Sequence, residues 1–135
     1  NRNGGPAEKE MTPPDSDPGA YVAAIIAWYL EMPETPMSAT LQDHRQARRW
    51  QEQSVPLDLA ESALLLASLR RLIRPADLPP LSPIRSLAYF QPVVDELRVH
   101  PMPAHYLDYL RLKLNRIAAG AAAAQVRKTT FSDDR

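Results

Sequence analysis

Residues 81–97 read LSPIRSLAYFQPVVDEL and join a helix-start signal to an aromatic pair, an apolar stripe and an interior proline. The Ser82 hydroxyl can accept from an orphan backbone N–H, and Pro83 loses no hydrogen bond at a first helical position. Leu87, Tyr89, Phe90, Val93, Val94 and Leu97 then recur at spacings of three and four, which gathers most of them on one face and predicts a buried helix. Pro92 cannot donate to the carbonyl of Ala88 and crowds it. Because the apolar face persists through the proline, the expectation is one helix from Pro83 to Val99 bent by more than about 20° at Pro92. The alternative is a restart, with Gln91 as cap and Pro92 as the first helical residue.

Outward from this stretch, helix signals recur and strand-like alternation does not. Asp17-Pro18 supplies a cap and a first-turn proline for a helix carrying Tyr21, Val22, Ile25, Ile26, Tyr29 and Leu30 and stopping before Pro33. Thr40 and Asp43 resemble a capping box for a helix over 41–53 with a sparse apolar face of Leu41, Ala47 and Trp50, the pattern of a surface helix. After the SVPLD turn, residues 59–74 are apolar nearly all round, as suits the centre of a bundle. A last helix begins near Pro103 and points Leu107, Leu110, Leu114, Ile117, Ala118 and Ala121 inward; Tyr106 and Tyr109, at helical spacing, read as core and seam aromatics. The predicted fold class is all-α, a single-domain bundle of about five helices.

The domain spans 17–126. Residues 1–16 are rich in Gly, Pro and charge, too poor in apolar groups to offset the entropy of ordering, and are expected to be disordered. Met11 reads like a natural start preceded by leader sequence, and residues 127–135 are expected to fray. At 135 residues and 44% hydrophobic the chain can build one core. Without cysteine it has no disulfide framework, thiol nucleophile or thiolate-bound zinc, which fits a cytoplasmic setting. No apolar run approaches the roughly 20 residues that span a bilayer, and the N-terminus lacks the apolar core of a signal peptide.

The net charge of zero conceals an uneven layout. Residues 1–34 carry six acids and two bases, net −4; residues 35–128 carry thirteen bases and eight acids, net +5, and eleven of those bases are arginine. Arginine suits bidentate contacts to phosphate or carboxylate. Two arginine groups stand out: Arg45, Arg48 and Arg49 in the second helix, and Arg70, Arg71 and Arg74 at the end of the third. Both are candidates for neutralising nucleic-acid phosphates, with Tyr89 as a base-stacking platform. The third helix itself lacks the polar face that a major-groove recognition helix needs.

Other chemistries find no support. His44, His100 and His105, even with Asp108, lack any recognised metal-ligand spacing. Ser86, Asp95 and His100 compose no hydrolase motif, and no glycine loop could cradle a phosphate. No metal, cofactor or catalytic activity is expected. The first helix shows Tyr21, Ile25, Trp28 and Tyr29 around more than one face, which suggests a surface for self-association or a protein partner.

Trp50, the turn at Val55 to Leu57, the apolar helix to Leu72 and the Tyr89-Phe90-x-x-Val93-Val94 pattern resemble the C-terminal helical domain of DnaD-like primosomal replication proteins. The resemblance covers residues 41–97; Pro92 departs from the family pattern. It implies a helical domain supporting DNA binding and assembly at an origin. The PPLSPIRSLAYF wording also resembles that of small bacterial proteins and implies no function. Charge layout and resemblance together predict a non-catalytic DNA-associated accessory protein, related to replication or mobile elements, with a helical protein–protein interaction module as the alternative.

Overall fold

The computed structural model describes residues 17–103 and 105–133, with side chains described through Gly120 apart from residue 104. Five α-helices form among them: α1 (Pro18–Glu31), α2 (Leu41–Glu52), α3 (Leu57–Leu72), α4 (Gln91–Val99) and α5 (Tyr106–Asp133). A 3-10 turn at Leu87–Phe90 precedes α4. The expected disordered segment 1–16 lies outside the described residues, and α5 continues beyond 126, where the sequence reading placed a tail. No described helix is long and apolar enough to cross a membrane.

Local chemistry starts the first two helices as their sequences imply. Asp17 accepts hydrogen bonds from the backbone of Gly19 and Ala20, with Pro18 in the first turn. Thr40 and Asp43 form a full capping box: Asp43 N donates to Thr40 Oγ1 at 3.2 Å and Thr40 N donates to Asp43 Oδ2 at 2.9 Å.

Helix α3 lies at the centre, packed on α1, α4, α5 and the 3-10 turn, while α2 packs on α1 and on that turn. Tyr21, early in α1, donates to the carbonyl of Val55 just before α3, and Glu34, just past α1, pairs with Arg71 late in α3, so α1 and α3 run in the same direction. Helix α4 runs opposite to α3, with Arg70 meeting Glu96 and Ser62 near Leu97; α5 runs parallel to α3, with Leu59 near Leu107 and Glu61 meeting Arg111. The core is filled by Trp50, Tyr21, Tyr29, Phe90, Ile25, Leu64 and Leu87. Tyr29 and Phe90 meet edge to face at 6.1 Å.

Four sequence readings are corrected. First, no continuous helix runs from Pro83 to Val99: residues 81–86 are non-helical because their donors go to distant acceptors, Ile84 N to the carbonyl of Glu34 at 3.0 Å and Leu87 N to Asp43 Oδ1 at 2.9 Å. Gln91 N then donates to the carbonyl of Ala88, and α4 starts at Gln91 with Pro92 second, where a proline leaves no helical bond unmade. Second, α2 is not a mere surface helix, since Ala47 and Trp50 are fully buried and Asp43 and Gln46 nearly so. Third, Tyr21, Ile25 and Tyr29 have no exposed surface; α2 and α3 cover the α1 face proposed for a partner, and Trp28 is partly buried against the core. Fourth, Tyr106 and Tyr109, read as core aromatics by spacing, lie exposed on α5.

Candidate functional site

Arg45, Arg48 and Arg49 stand together on the exposed side of α2, at spacings of three and four that place their side chains as neighbours. The opposite side of the same helix is anchored by a glutamine hub. Gln91 Oε1 accepts from Trp50 Nε1 at 2.7 Å and from Gln46 Nε2 at 3.0 Å, and Gln46 Oε1 in turn accepts from Arg49 at 2.9 Å. The guanidinium of Arg49 is thereby oriented through Gln46 by the core. Arg48 has Glu52 at 3.8 Å, with both side chains more than half exposed, a spacing and exposure at which solvent screens the attraction. Arg98 reaches the carbonyl of Gln53 at 3.3 Å and adds a base at the C-terminal end of α2.

The second arginine group is engaged differently. Arg70 makes a two-point contact with Glu96, at 2.8 and 2.7 Å, and these bonds hold the Glu96 carboxyl below the usual carboxylate range. Arg71 is 94% removed from solvent at its side chain and donates to Glu34, to the Ser82 carbonyl at 2.7 Å and to the Tyr89 hydroxyl at 3.1 Å. Its guanidinium carbon also sits 5.3 Å from the Tyr89 ring centre, and the edge of the Tyr89–Phe90 pair closes at 5.3 Å. Tyr89 is 41% exposed, with hydroxyl and ring both engaged within the chain. Arg74 is partly buried and has no ion-pair partner among the described residues.

The structure therefore keeps the Arg45, Arg48 and Arg49 stripe open to solvent and engages Arg70, Arg71 and Tyr89 within the chain, Arg71 buried and Arg70 and Tyr89 still exposed. Glu34 holds Arg71 and Gln46 orients Arg49, roles that no local pattern signals; Gln91 entered the sequence reading only as a possible cap. Asp43 carried a local cap signal, but its bond to Leu87 and the Gln91 hub join residues more than forty positions apart. Among the described residues no three His, Asp or Glu side chains are grouped to hold a metal ion.

Compared with protein-family models, with curated proteins and with solved structures, the chain matches none.

Proposed function

We propose that this chain is a non-catalytic DNA-associated accessory protein whose α2 face contacts phosphates through Arg45, Arg48 and Arg49. One observation supports this reading above others: three arginines share one exposed helical face, with Glu52 loosely placed beside Arg48. Such a face supplies sequence-independent attraction to a phosphate backbone. The link to replication or mobile elements rests on the resemblance to DnaD-like domains. Fluorescence anisotropy with a labelled duplex and with a single strand, at several salt concentrations, tests the reading. Changing all three arginines to Ala should weaken binding and reduce the magnitude of the log–log salt slope by about 2–3 on duplex. No binding of either strand form at low salt, or a slope unchanged by the triple substitution, overturns it.

The interaction-module reading finds a different support from the one the sequence suggested. With Tyr21, Ile25 and Tyr29 buried, one apolar surface left open beside charged groups is at Leu81 and Tyr89, between α3 and α4.

A further inference from the structure

Between the end of α3 and the segment 78–93 runs a cleft with two halves that share Arg71 and Leu81. The apolar half, about 290 Å³, is formed by Ala67, Leu81, Tyr89, Pro92 and Val93, with Arg70, paired to Glu96, also in its lining. The cationic half, about 340 Å³, is bounded by Arg71, Arg74, Glu34 and the prolines 75, 79 and 80. Those prolines restrict the backbone, so this wall does not collapse readily onto the arginines.

Three observations point to what the cleft accepts. The Nε atoms of Arg71 and Arg74 are both buried and find no hydrogen-bond partner among the described residues, although buried donors are nearly always paired. Two guanidinium groups face a single carboxylate, Glu34, which is spent on Arg71. Glu34 is itself a non-glycine residue held at φ 67°, with its carbonyl fastened by Ile84 N, so this carboxylate is built into the wall at some conformational cost. Beside this charge, Leu81 and Tyr89 keep 44% and 41% of their surface exposed.

We propose that this cleft docks a segment of a partner protein carrying a carboxylate beside an apolar side chain. The apolar group lies between Leu81, Tyr89 and Val93, and the carboxylate takes the Arg74 guanidinium beside Arg71. One uncompensated positive charge suits a carboxylate, and Glu34 in the wall disfavours a phosphate dianion. A nucleic-acid backbone needs a row of free cations, which α2 presents; in this cleft Arg70 and Arg71 are already paired to Glu96 and Glu34. The proposal is independent of the α2 reading.

Arginine Nε–Hε and methyl NMR spectra of the isotope-labelled full chain provide the test. The probes are the acetylated, amidated hexapeptide Ala-Leu-Asp-Glu-Leu-Ala, its Asn/Gln counterpart, sodium acetate and a short DNA duplex. The acidic peptide should give saturable shifts at the Nε–Hε groups of Arg71 and Arg74 and at the Val93 methyls, and at least ~10-fold weaker binding should follow from the neutral peptide or from Arg74→Gln. Leu81→Ser, at an exposed position, should weaken the peptide and leave the melting temperature in place. The proposal is overturned by the absence of saturable shifts at these groups, by equal shifts from the neutral peptide or acetate, or by shifts spread equally over Arg45, Arg48 and Arg49. It is also overturned if the duplex takes the cleft in place of the peptide, or if dilution alone moves the same signals, which would assign the cleft to a second copy.

Discussion

Asp43 joins a local helix cap to a distant backbone amide. It is 1% exposed, closes the cap of α2 with one oxygen and receives the Leu87 amide with the other. Asp43→Ala should strand the Leu87 donor in the core and remove half of the capping box, at a cost of about 2–4 kcal/mol in urea unfolding. A cost under about 1 kcal/mol would mean that another acceptor replaces it. Tyr29 presents the opposite case: its hydroxyl is buried without a partner, and burial, aided by the Asp43 carboxylate, pushes its pKa up to about 12. Tyr29→Phe should be neutral or stabilising by up to about 1 kcal/mol at pH 7, since it removes an unsatisfied polar group and keeps the ring on Phe90. Below the unfolded tyrosine pKa near 10, both states hold the phenol proton and Tyr29 adds no pH dependence. As pH rises from there toward about 12, the unfolded chain releases that proton while the folded chain keeps it, so stability falls. The Phe variant should lack this component of the alkaline decline, which pH-dependent melts of the two proteins would show.

At the scale of elements, the 81–99 segment illustrates how a local pattern can be right about burial and wrong about conformation. Leu87, Phe90, Val94 and Leu97 are buried as the spacing implied, yet they sit on a 3-10 turn and a separate short helix. Pro92 occupies the second position of α4, so it kinks nothing. Pro92→Ala should change stability by no more than about 1 kcal/mol, because its amide would fall among the orphan donors of a first turn. Gln91→Ala, one residue earlier, should cost about 1–3 kcal/mol by removing the acceptor of Trp50 Nε1 and Gln46 Nε2. Chemical denaturation of both variants should therefore rank the glutamine well above the proline. A reversed order would restore the proline as the structural determinant of this segment.

For the whole molecule, the attachment of α5 sets the outer boundary of the bundle. Leu110 and Leu114 enter the core, and Arg111 makes a two-point contact at 2.8 and 2.7 Å with Glu61, whose side chain is 8% exposed on α3. Arg111 remains 45% exposed and also meets Asp108 at 3.0 Å, so the penalty for breaking the pair is moderated by water on one side. Arg111→Ala should still cost about 1–3 kcal/mol, because Glu61 would keep its burial and lose its counter-charge. Adding Glu61→Gln should recover part of that loss, and a double-mutant cycle measures the coupling. Simple additivity of the two substitutions would argue that α5 is held by its leucines alone.

The sequence by itself determined the helical class, the central place of α3, the starts of α1 and α2 and the exposed arginine stripe of α2. These depend on periodicity and on caps whose partners lie within a few residues, interactions any local segment carries with it. Only the tertiary structure decided that residues 81–86 leave the helix, that Tyr21 and Tyr29 face inward and that Arg70 and Arg71 are fastened to Glu96 and Glu34. All of these outcomes except the burial of Tyr29, which rests on its ring packing against Phe90, turn on a polar group choosing an acceptor far along the chain. Ile84 and Leu87 find theirs fifty and forty-four residues away, and Arg71 meets Glu34 across thirty-seven. Local propensity carries no information about such distances; the burial of those groups, which leaves each donor only the acceptor packed against it, settled the matter.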